Sequence, residues 1–273
     1  MNTVDLPAAG DVERIENISS IINDQQRIAD IRQHIQDGAT YVVNSGISRS
    51  KLEAIRSYLI GIGQGSFPNY RSIEQGCPNF HRVNRWDERA YVKGCFHQFV
   101  FFPWNQDMFD FFNLFRPVFE LKNKLSNLPA NKFLGAEPED GCTSRLAFQF
   151  YPSGGGALNR HIDPVDRHQL TVPVMLLSEK GKDFNTGGLY IESAAGKRLL
   201  FDDIGQLGDI VFFNAQITHG VEPIDPEEEL NWPSFRGRWM GLFAVNKLSG
   251  TADIPNSVDL EIATEEEAVA GAT

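Results

Sequence analysis

The sequence predicts a mainly β protein with additional helices: a double-sheet jelly roll with N-terminal helices packed on it. After Pro129, short apolar runs alternate with turn residues at the spacing of sandwich and barrel strands. Before that point, apolar residues recur at helical spacing. The 273 residues suit one large domain, which we place at residues 1–249, followed by an acidic tail at 250–273.

The N-terminal part of this domain, residues 11–128, is predicted to be helical and rich in aromatic residues. Isoleucines recur at helical spacing over residues 11–36. The run Ser-Lys-Leu-Glu at 50–53 is a capping box, which predicts the start of a second helix. Residues 64–104 are predicted to be irregular, and residues 106–126 to form a further helix.

The jelly-roll core is predicted to span residues 140–248. Its apolar runs are separated by glycine-rich turns, which predicts short strands. The predicted strands are 145–151, 169–177, 187–192, 198–201, 209–214 and 238–245. The tail at 250–273 has few large apolar residues, so we expect it to be solvated and flexible.

Aromatic and basic side chains are concentrated between residues 79 and 102. The phenylalanines at 96–102 are predicted to pack in the core. The polar residues of this segment could contact a substrate, although surface salt bridges are the more common role of such side chains. They are Asn79, Arg82, Arg85 and Arg89.

Charge and composition exclude several classes of protein. The chain has 36 acidic and 25 basic residues, a net charge of −11, which argues against a nucleic-acid partner. No apolar run approaches the roughly 20 residues of a membrane span, and we see no signal peptide. The three cysteines show no CxxC spacing, which fits a reducing compartment. We therefore expect a cytoplasmic protein without a membrane partner, whose oligomeric state the sequence leaves open.

A candidate metal site follows the glycine-rich turn at residues 153–156. Alternate side chains of an extended strand share a face, so His161 and Asp163 point the same way. The intervening strands could return the chain so that His219 supplies a third ligand. Two histidines and one carboxylate leave one side of a metal open, as in the facial triad of non-haem Fe(II) oxygenases. An isolated His-x-Asp is common by chance, so ordinary polar residues are the alternative.

Around these residues the sequence resembles the Fe(II)- and 2-oxoglutarate-dependent dioxygenases, in particular their prolyl 4-hydroxylase-like branch. The resemblance covers about residues 145–246. It is carried by Phe150-Tyr151 with the glycine turn, His161-Ile162-Asp163, Leu170-Thr171-Val172, Gly187-Gly188-Leu189-Tyr190, Gly208-Asp209-Ile210-Val211-Phe212-Phe213, His219-Gly220-Val221 and Arg238-Trp239-Met240-Gly241-Leu242-Phe243.

The resemblance implies a double-stranded β-helix that uses Fe(II), 2-oxoglutarate and O2. It implies that His161, Asp163 and His219 bind the iron and form the catalytic centre. It further implies that Arg238 binds the distal carboxylate of 2-oxoglutarate, for which a guanidinium fork is suited. Tyr151 is a second candidate contact to 2-oxoglutarate; the alternative is a core aromatic residue with its hydroxyl paired.

Several features near these residues modify the expectation. Arg236 shares a strand face with Arg238, but the turn residues before position 238 predict that the strand starts near 238. Arg236 is therefore expected at the exposed start of the strand. Met240 stands where many relatives have a serine that contacts the cosubstrate. The insert at residues 225–235 could form a lid or a loop that contacts substrate, and Asn159 could line the pocket.

The implied reaction is hydroxylation of an unactivated C–H bond of a small molecule, with succinate and CO2 as co-products. The long N-terminal part favours an enclosed substrate such as an amino acid or a natural-product intermediate. One alternative is hydroxylation of a protein or peptide side chain, and another is a non-catalytic jelly-roll binding protein. The sequence does not identify the substrate, nor does it separate hydroxylation from desaturation or cyclisation.

Overall fold

The computed structural model describes residues 11–165, 168–193, 195–251 and 256–262. Within these ranges the strands are β1 (Val12–Ile15), β2 (Thr40–Asn44), β3 (Phe80–Arg85), β4 (Gly94–Phe101), β5 (Cys142–Pro152), β6 (Gly156–Ile162), β7 (Val174–Leu176), β8 (Gly188–Glu192), β9 (Arg198–Leu200), β10 (Asp209–Phe212), β11 (His219–Ile224), β12 (Gly237–Lys247) and β13 (Val258–Asp259). The helices are α1 (Gln25–Gln36), α2 (Arg49–Gly65), α3 (Phe111–Leu114) and α4 (Arg116–Leu125), with short 3-10 helices at Ile18–Ser20, Phe201–Asp203 and Trp232–Ser234.

Strands β5 to β12 form the predicted jelly roll. One sheet has the strand order β10-β7-β12-β5, and the other has the order β6-β11-β8-β9. Strands β2 and β1 extend the first sheet beyond β10, and β4 extends it beyond β5. The start of β4 also pairs with β6, which joins the two sheets along one side. The result is a curled mixed sheet whose inner face encloses a pocket.

The two faces of β5 show why the chain folds in this way. Leu146, Phe148 and Phe150 belong to an apolar cluster that contains the buried faces of α1, α2 and α4. Tyr151 has the opposite parity and belongs to the cluster between the two sheets. Each fully buried apolar side chain stabilises the fold by roughly 1.5–3 kcal/mol, so a one-residue shift of β5 would be costly. The observed register of β5 is set by its pairing with β12, which extends over eleven residues from Gly237 opposite Pro152 to Lys247 opposite Cys142.

The predicted helices are confirmed only in part. The helix expected over 11–36 is limited to α1, because residues 12–15 pair with β2 and the Asp24 side chain caps α1 by accepting from the Arg27 amide. The second helix begins at Arg49 instead of after Ser50, because Ser48 is its N-cap. The helix expected over 106–126 is present as α3 and α4.

The largest error of the sequence prediction concerns residues 64–104. This segment is not irregular throughout, since it contains β3 and β4. Strand β4 is buried along its whole length, because Phe99 and Phe101 pack in the apolar cluster that contains the helices and Phe96 packs in the cluster between the two sheets. Its side chains therefore lack the alternation of buried and exposed positions that marks a strand at the surface. The phenylalanines at 96–102 are core residues, as predicted.

The prediction of a solvated tail fails for residues 256–262. Strand β13 pairs antiparallel with β6, with Val258 opposite Ile162 and Asp259 opposite His161. The Asp259 carboxylate accepts hydrogen bonds from the Lys93 amide and the Asn159 side chain. An acidic segment is thus fixed by specific pairing. Residues 252–255 and 263–273 lie outside the described residues, and the domain boundary at 249 stays a prediction.

Among the described residues, no helix has the length and apolar character required to cross a membrane. The three cysteines are free thiols. Cys95 and Cys142 are buried, and Cys77 is half-buried.

We expect acidification to destabilise the fold through a buried histidine pair in β3 and β4. His81 Nδ1 lies 2.7 Å from His97 Nε2. Burial, reinforced by His81, lowers the pKa of His97 to about 3, whereas an unfolded histidine titrates near 6.5. Between these values only the unfolded state binds the proton, so each pH unit of acidification lowers the free energy of unfolding by about 1.4 kcal/mol.

Chemical denaturation at several pH values between about 7 and 4 measures the slope of the free energy of unfolding against pH. His97→Gln should reduce the slope, whereas His34→Gln, at an exposed position of α1, should leave it unchanged. An equal slope in the wild type and His97→Gln would contradict the expectation.

Candidate active site

Neighbouring strands of the second sheet bring the predicted metal ligands together. His161, near the end of β6, lies directly opposite His219, the first residue of β11. Their ring centroids are 4.1 Å apart. Asp163 follows β6, and its amide donates a hydrogen bond of 2.9 Å to the carbonyl of Ala215. One ligand atom from each of His161, Asp163 and His219 lies within 4.8 Å of the others.

Backbone hydrogen bonds set the tautomers of both histidines. Nδ1 of His161 donates to the carbonyl of Asn159, and Nδ1 of His219 donates to the carbonyl of Ile217, each at 2.8 Å. A carbonyl can only accept, so Nε2 of each ring is left without a proton in the neutral form. Nε2 of His161 lies 4.0 Å from one carboxylate oxygen of Asp163, and Nε2 of His219 lies 3.5 Å from the other. Two nitrogen donors and one carboxylate thus converge, and they fit a divalent iron.

Burial fixes the charge states that a metal requires. Burial, reinforced by His219, lowers the pKa of His161 to about 4, so the ring is neutral near pH 7. Burial also opposes ionisation of Asp163, but the hydrogen bond that its carboxylate accepts from the Ser257 hydroxyl favours the ionised form, and the pKa of Asp163 lies below its ordinary value. The site is therefore prepared to bind a cation without losing protons near neutral pH.

The C-terminal segment holds the carboxylate of Asp163, the third candidate ligand, in place. The Ser257 hydroxyl donates a hydrogen bond to Oδ1 of Asp163. Ser257 immediately precedes β13, so the pairing of β13 with β6 positions this hydroxyl. A partner that orients a ligand commonly affects metal affinity as well as geometry.

We expect truncation after Ser249 to weaken Fe(II) binding by about tenfold, because Asp163 then loses its Ser257 partner. Anaerobic Fe(II) titration measures the change. Truncation after Ile262 keeps Ser257 and β13 and serves as the control. Equal affinities for the two truncated proteins would show that the segment does not support the site.

A cavity of about 450 Å³ adjoins the three candidate ligands. It lies between the two sheets and is lined by both, through Met240 and Leu242 of β12 on one side and Val221 of β11 on the other. Strands β3 and β4 contribute Arg82 and Gln98 to the wall. The N-terminal part therefore covers the site, and the cavity has the size of a small-molecule pocket.

Arg238 is completely buried and lies outside this cavity lining. Its Nε donates to both Asp202 oxygens, at 3.0 and 2.8 Å. Nη1 and Nη2 are buried without a hydrogen-bond partner among the described residues. Orphaned guanidinium donors are rare in protein interiors and indicate a missing acceptor. They fit the distal carboxylate of 2-oxoglutarate, because a guanidinium can bind a carboxylate through two hydrogen bonds.

The fold matches those of solved oxygenases. A Pseudomonas putida prolyl-4-hydroxylase matches with a TM-score of 0.51 and 13% identity, covering 81% of this chain and 98% of that chain. A putative oxygenase from Shewanella oneidensis matches with a TM-score of 0.54 and 12% identity, covering 97% and 100%. JOX2 in complex with 2OG, Fe and JA matches with a TM-score of 0.51 and 13% identity, covering 96% and 81%.

The chain therefore has the same fold as these three solved structures. No protein-family model matches it, and no curated protein matches its sequence. At this level of identity the comparisons concern the fold, and the chemistry has to be argued from the residues of this chain.

Within this oxygenase fold, the structure separates the remaining candidates. Tyr151 is buried, and its hydroxyl donates to Gln149 at 2.7 Å, as expected of a paired core aromatic residue. Asn159 is outside the cavity lining and instead bonds to Asp259. Arg236 is exposed and forms a 2.9 Å ion pair with Glu228.

For the insert at residues 225–235 the sequence left open a lid or a loop that contacts substrate, and the structure places the insert away from the cavity. None of its residues lines the cavity. At the start of the insert, the Asp225 carboxylate accepts hydrogen bonds of 2.8 Å from the Ser153 hydroxyl and from the Thr186 amide. Phe235 packs on Phe150 and Trp239, on the outer face of the first sheet. The apolar end of the insert therefore anchors it away from the pocket.

Sequence reasoning missed two residues that lie beside the candidate metal ligands. Arg145 lines the cavity, and its parity on β5 is the same as that of Tyr151, so strand alternation could have identified it. Ser257 lies in the segment that was expected to be solvated. No local pattern marks Ser257, because its role depends on the long-range pairing of β13 with β6.

Proposed function

We propose that the chain is an Fe(II)- and 2-oxoglutarate-dependent dioxygenase that hydroxylates an unactivated C–H bond of a small molecule. One oxygen atom of O2 enters the substrate as a hydroxyl group, and the other enters succinate as 2-oxoglutarate loses CO2. The observation that carries the proposal is the convergence of His161, Asp163 and His219 within 4.8 Å beside an enclosed cavity.

In this proposal, Nε2 of His161, Nε2 of His219 and the Asp163 carboxylate hold the metal. Their backbone and Ser257 hydrogen bonds limit rotation of all three side chains. Bound Fe(II), together with 2-oxoglutarate, supplies the O2 activation and the oxidising power for the C–H bond. The three protein ligands lie on one side, which leaves coordination positions for cosubstrate and O2.

Arg238 is the proposed partner of the distal 2-oxoglutarate carboxylate. The Asp202 carboxylate accepts a hydrogen bond from Nε of Arg238 and another, of 2.7 Å, from the Leu189 amide. Gly188 makes room for this carboxylate, since a Cβ there would lie 2.7 Å from an Asp202 oxygen. The guanidinium is thereby oriented before the cosubstrate binds. Tyr151 as a direct cosubstrate contact stays a prediction.

The enclosed cavity supports a small-molecule substrate over a protein side chain. Cover by β3 and β4 narrows access to the metal ligands, and a volume of about 450 Å³ is in the range of small-molecule pockets.

The test is succinate formation from 2-oxoglutarate with added Fe(II), measured with and without members of a small-molecule library. We expect slow succinate formation alone and faster formation with a substrate, accompanied by a product heavier by one oxygen atom. A folded protein that binds Fe(II) but forms no succinate under any of these conditions would instead be a binding protein.

A further inference from the structure

The cavity beside the candidate metal ligands is strongly cationic. Its described lining contains the basic residues Arg71, Arg82, Arg145 and Lys247. The only acidic residue in that described lining is Asp163, which the proposed function assigns to the metal. This local excess contrasts with the net charge of −11 for the whole chain. A positive pocket in an acidic protein indicates selection of a negatively charged ligand.

Two of these cations form no close ion pair with any carboxylate of the described residues. Among the described residues, no ion pair joins either Arg82 or Arg145 to a carboxylate within 4.0 Å. Nε of each is buried and has no hydrogen-bond acceptor. The Arg82 guanidinium lies over the ring of Tyr70, 4.9 Å from its centroid, which fixes its position without neutralising it.

The two guanidinium groups repel each other. Burial, together with the nearby positive charge of Arg82, lowers the pKa of Arg145 to about 10, and the negative charge of Asp163 opposes the shift. A pair of like charges that faces one cavity is costly unless an anion binds between them.

Iron and 2-oxoglutarate would not supply that anion. Fe(II) carries two positive charges and 2-oxoglutarate two negative ones, so their binding leaves the net charge of the site unchanged. The proposed anchor of 2-oxoglutarate, Arg238, is on β12, and Arg82 and Arg145 are on β3 and β5. The positive charge of the cavity therefore remains for another ligand.

We propose that Arg82 and Arg145 bind the carboxylate of the substrate, and that the substrate is an amino acid. This assignment rests on the proposed function, because it places the substrate beside the iron ligands. Two buried side-chain oxygens in the same lining, Oε1 of Gln98 and Oδ1 of Asn246, have no donor among the described residues. They suit the ammonium group of the same molecule.

The twenty standard L-amino acids and their primary amides are the probes. Binding is measured by anaerobic calorimetry with the Fe(II)- and 2-oxoglutarate-loaded protein. We expect at least one acid to bind, and its amide to bind at least tenfold more weakly. Arg145→Gln and Arg82→Gln should each weaken binding of that acid by about 10- to 100-fold.

The variants separate a binding role from a general structural role. Arg145→Lys should recover part of the affinity, because it restores the charge without the guanidinium fork. Arg116→Gln makes the same charge change at an exposed position of α4 and should have no effect. The apparent 2-oxoglutarate constant should be unchanged in Arg82→Gln and Arg145→Gln, and neither variant should weaken Fe(II) binding, which shows that the cosubstrate site is intact.

The assignment is overturned if no acid binds, if amides bind as tightly as acids, or if Arg145→Gln leaves the preference for acids intact. Failure of the proposed function looks different, since the wild-type protein would then lack Fe(II)-dependent succinate formation. Intact succinate formation together with any of the three contrary results would reject the amino-acid substrate alone.

Discussion

His219→Ala is expected to abolish succinate formation and to weaken Fe(II) binding by at least about 100-fold. The substitution removes one of three ligand groups that converge within 4.8 Å, and the remaining pair holds a divalent metal poorly. His161→Ala should have the same effect, since the two rings lie opposite each other across β6 and β11. Anaerobic Fe(II) titration and succinate quantification measure the two losses separately.

The jelly roll should remain folded in both variants, because each removes a single side chain at the edge of the cavity. Far-ultraviolet circular dichroism and thermal melting check this. His34→Ala, at an exposed position of α1, is the matched control and should keep full activity. Near-native succinate formation by either His161→Ala or His219→Ala would show that the three residues are not the metal site.

Arg238→Met should raise the apparent 2-oxoglutarate constant by about 30- to 1000-fold while Fe(II) binding is retained. The expected loss is large because Nη1 and Nη2 are fully buried and have no other acceptor among the described residues. Titration of 2-oxoglutarate into the anaerobic Fe(II) protein measures the constant directly. Arg236→Ala is the control, because Arg236 is exposed and pairs with Glu228.

The same substitution should also destabilise the fold, since it leaves the buried Asp202 carboxylate without its cationic partner. Loss of one member of a buried ion pair costs about 3–5 kcal/mol. The double variant Arg238→Met with Asp202→Asn should recover much of the stability and none of the 2-oxoglutarate affinity. Recovery of both, or a larger affinity loss in Arg236→Ala, would assign the cosubstrate to another residue.

The strands of the jelly roll were largely predictable because their signals are local. Each of the six predicted runs overlaps an observed strand, namely β5, β7, β8, β9, β10 or β12, whereas β6 and β11 were not among these runs. The alternation of inward and outward side chains within a strand also explains why His161 and Asp163 could be paired in advance. By contrast, β3 and β4 were missed, because β4 is buried on both faces and carries no alternation.

The candidate metal site was found from the sequence for a similar reason. His161 and Asp163 are separated by one residue, and strand geometry alone brings them to one face. The resemblance supplied His219, whose proximity depends on the pairing of β11 with β6. The sequence left the insert at 225–235 open between a lid and a substrate-contacting loop, because Phe235 is buried against the aromatic outer face of the first sheet by a contact that no local pattern encodes.

The sequence alone thus determined the jelly-roll class and paired His161 with Asp163, because these depend on strand periodicity and short motifs. Its resemblance to a known family supplied His219 and Arg238 as candidates. Only the tertiary structure placed Ser257 against Asp163, and Arg82 and Arg145 around one cavity. Ser257 is 94 residues from Asp163 along the chain. Arg82 and Arg145 lie on separate strands. The proximity of such residues depends on packing that brings distant segments of the chain together, and local sequence propensities carry no information about that packing.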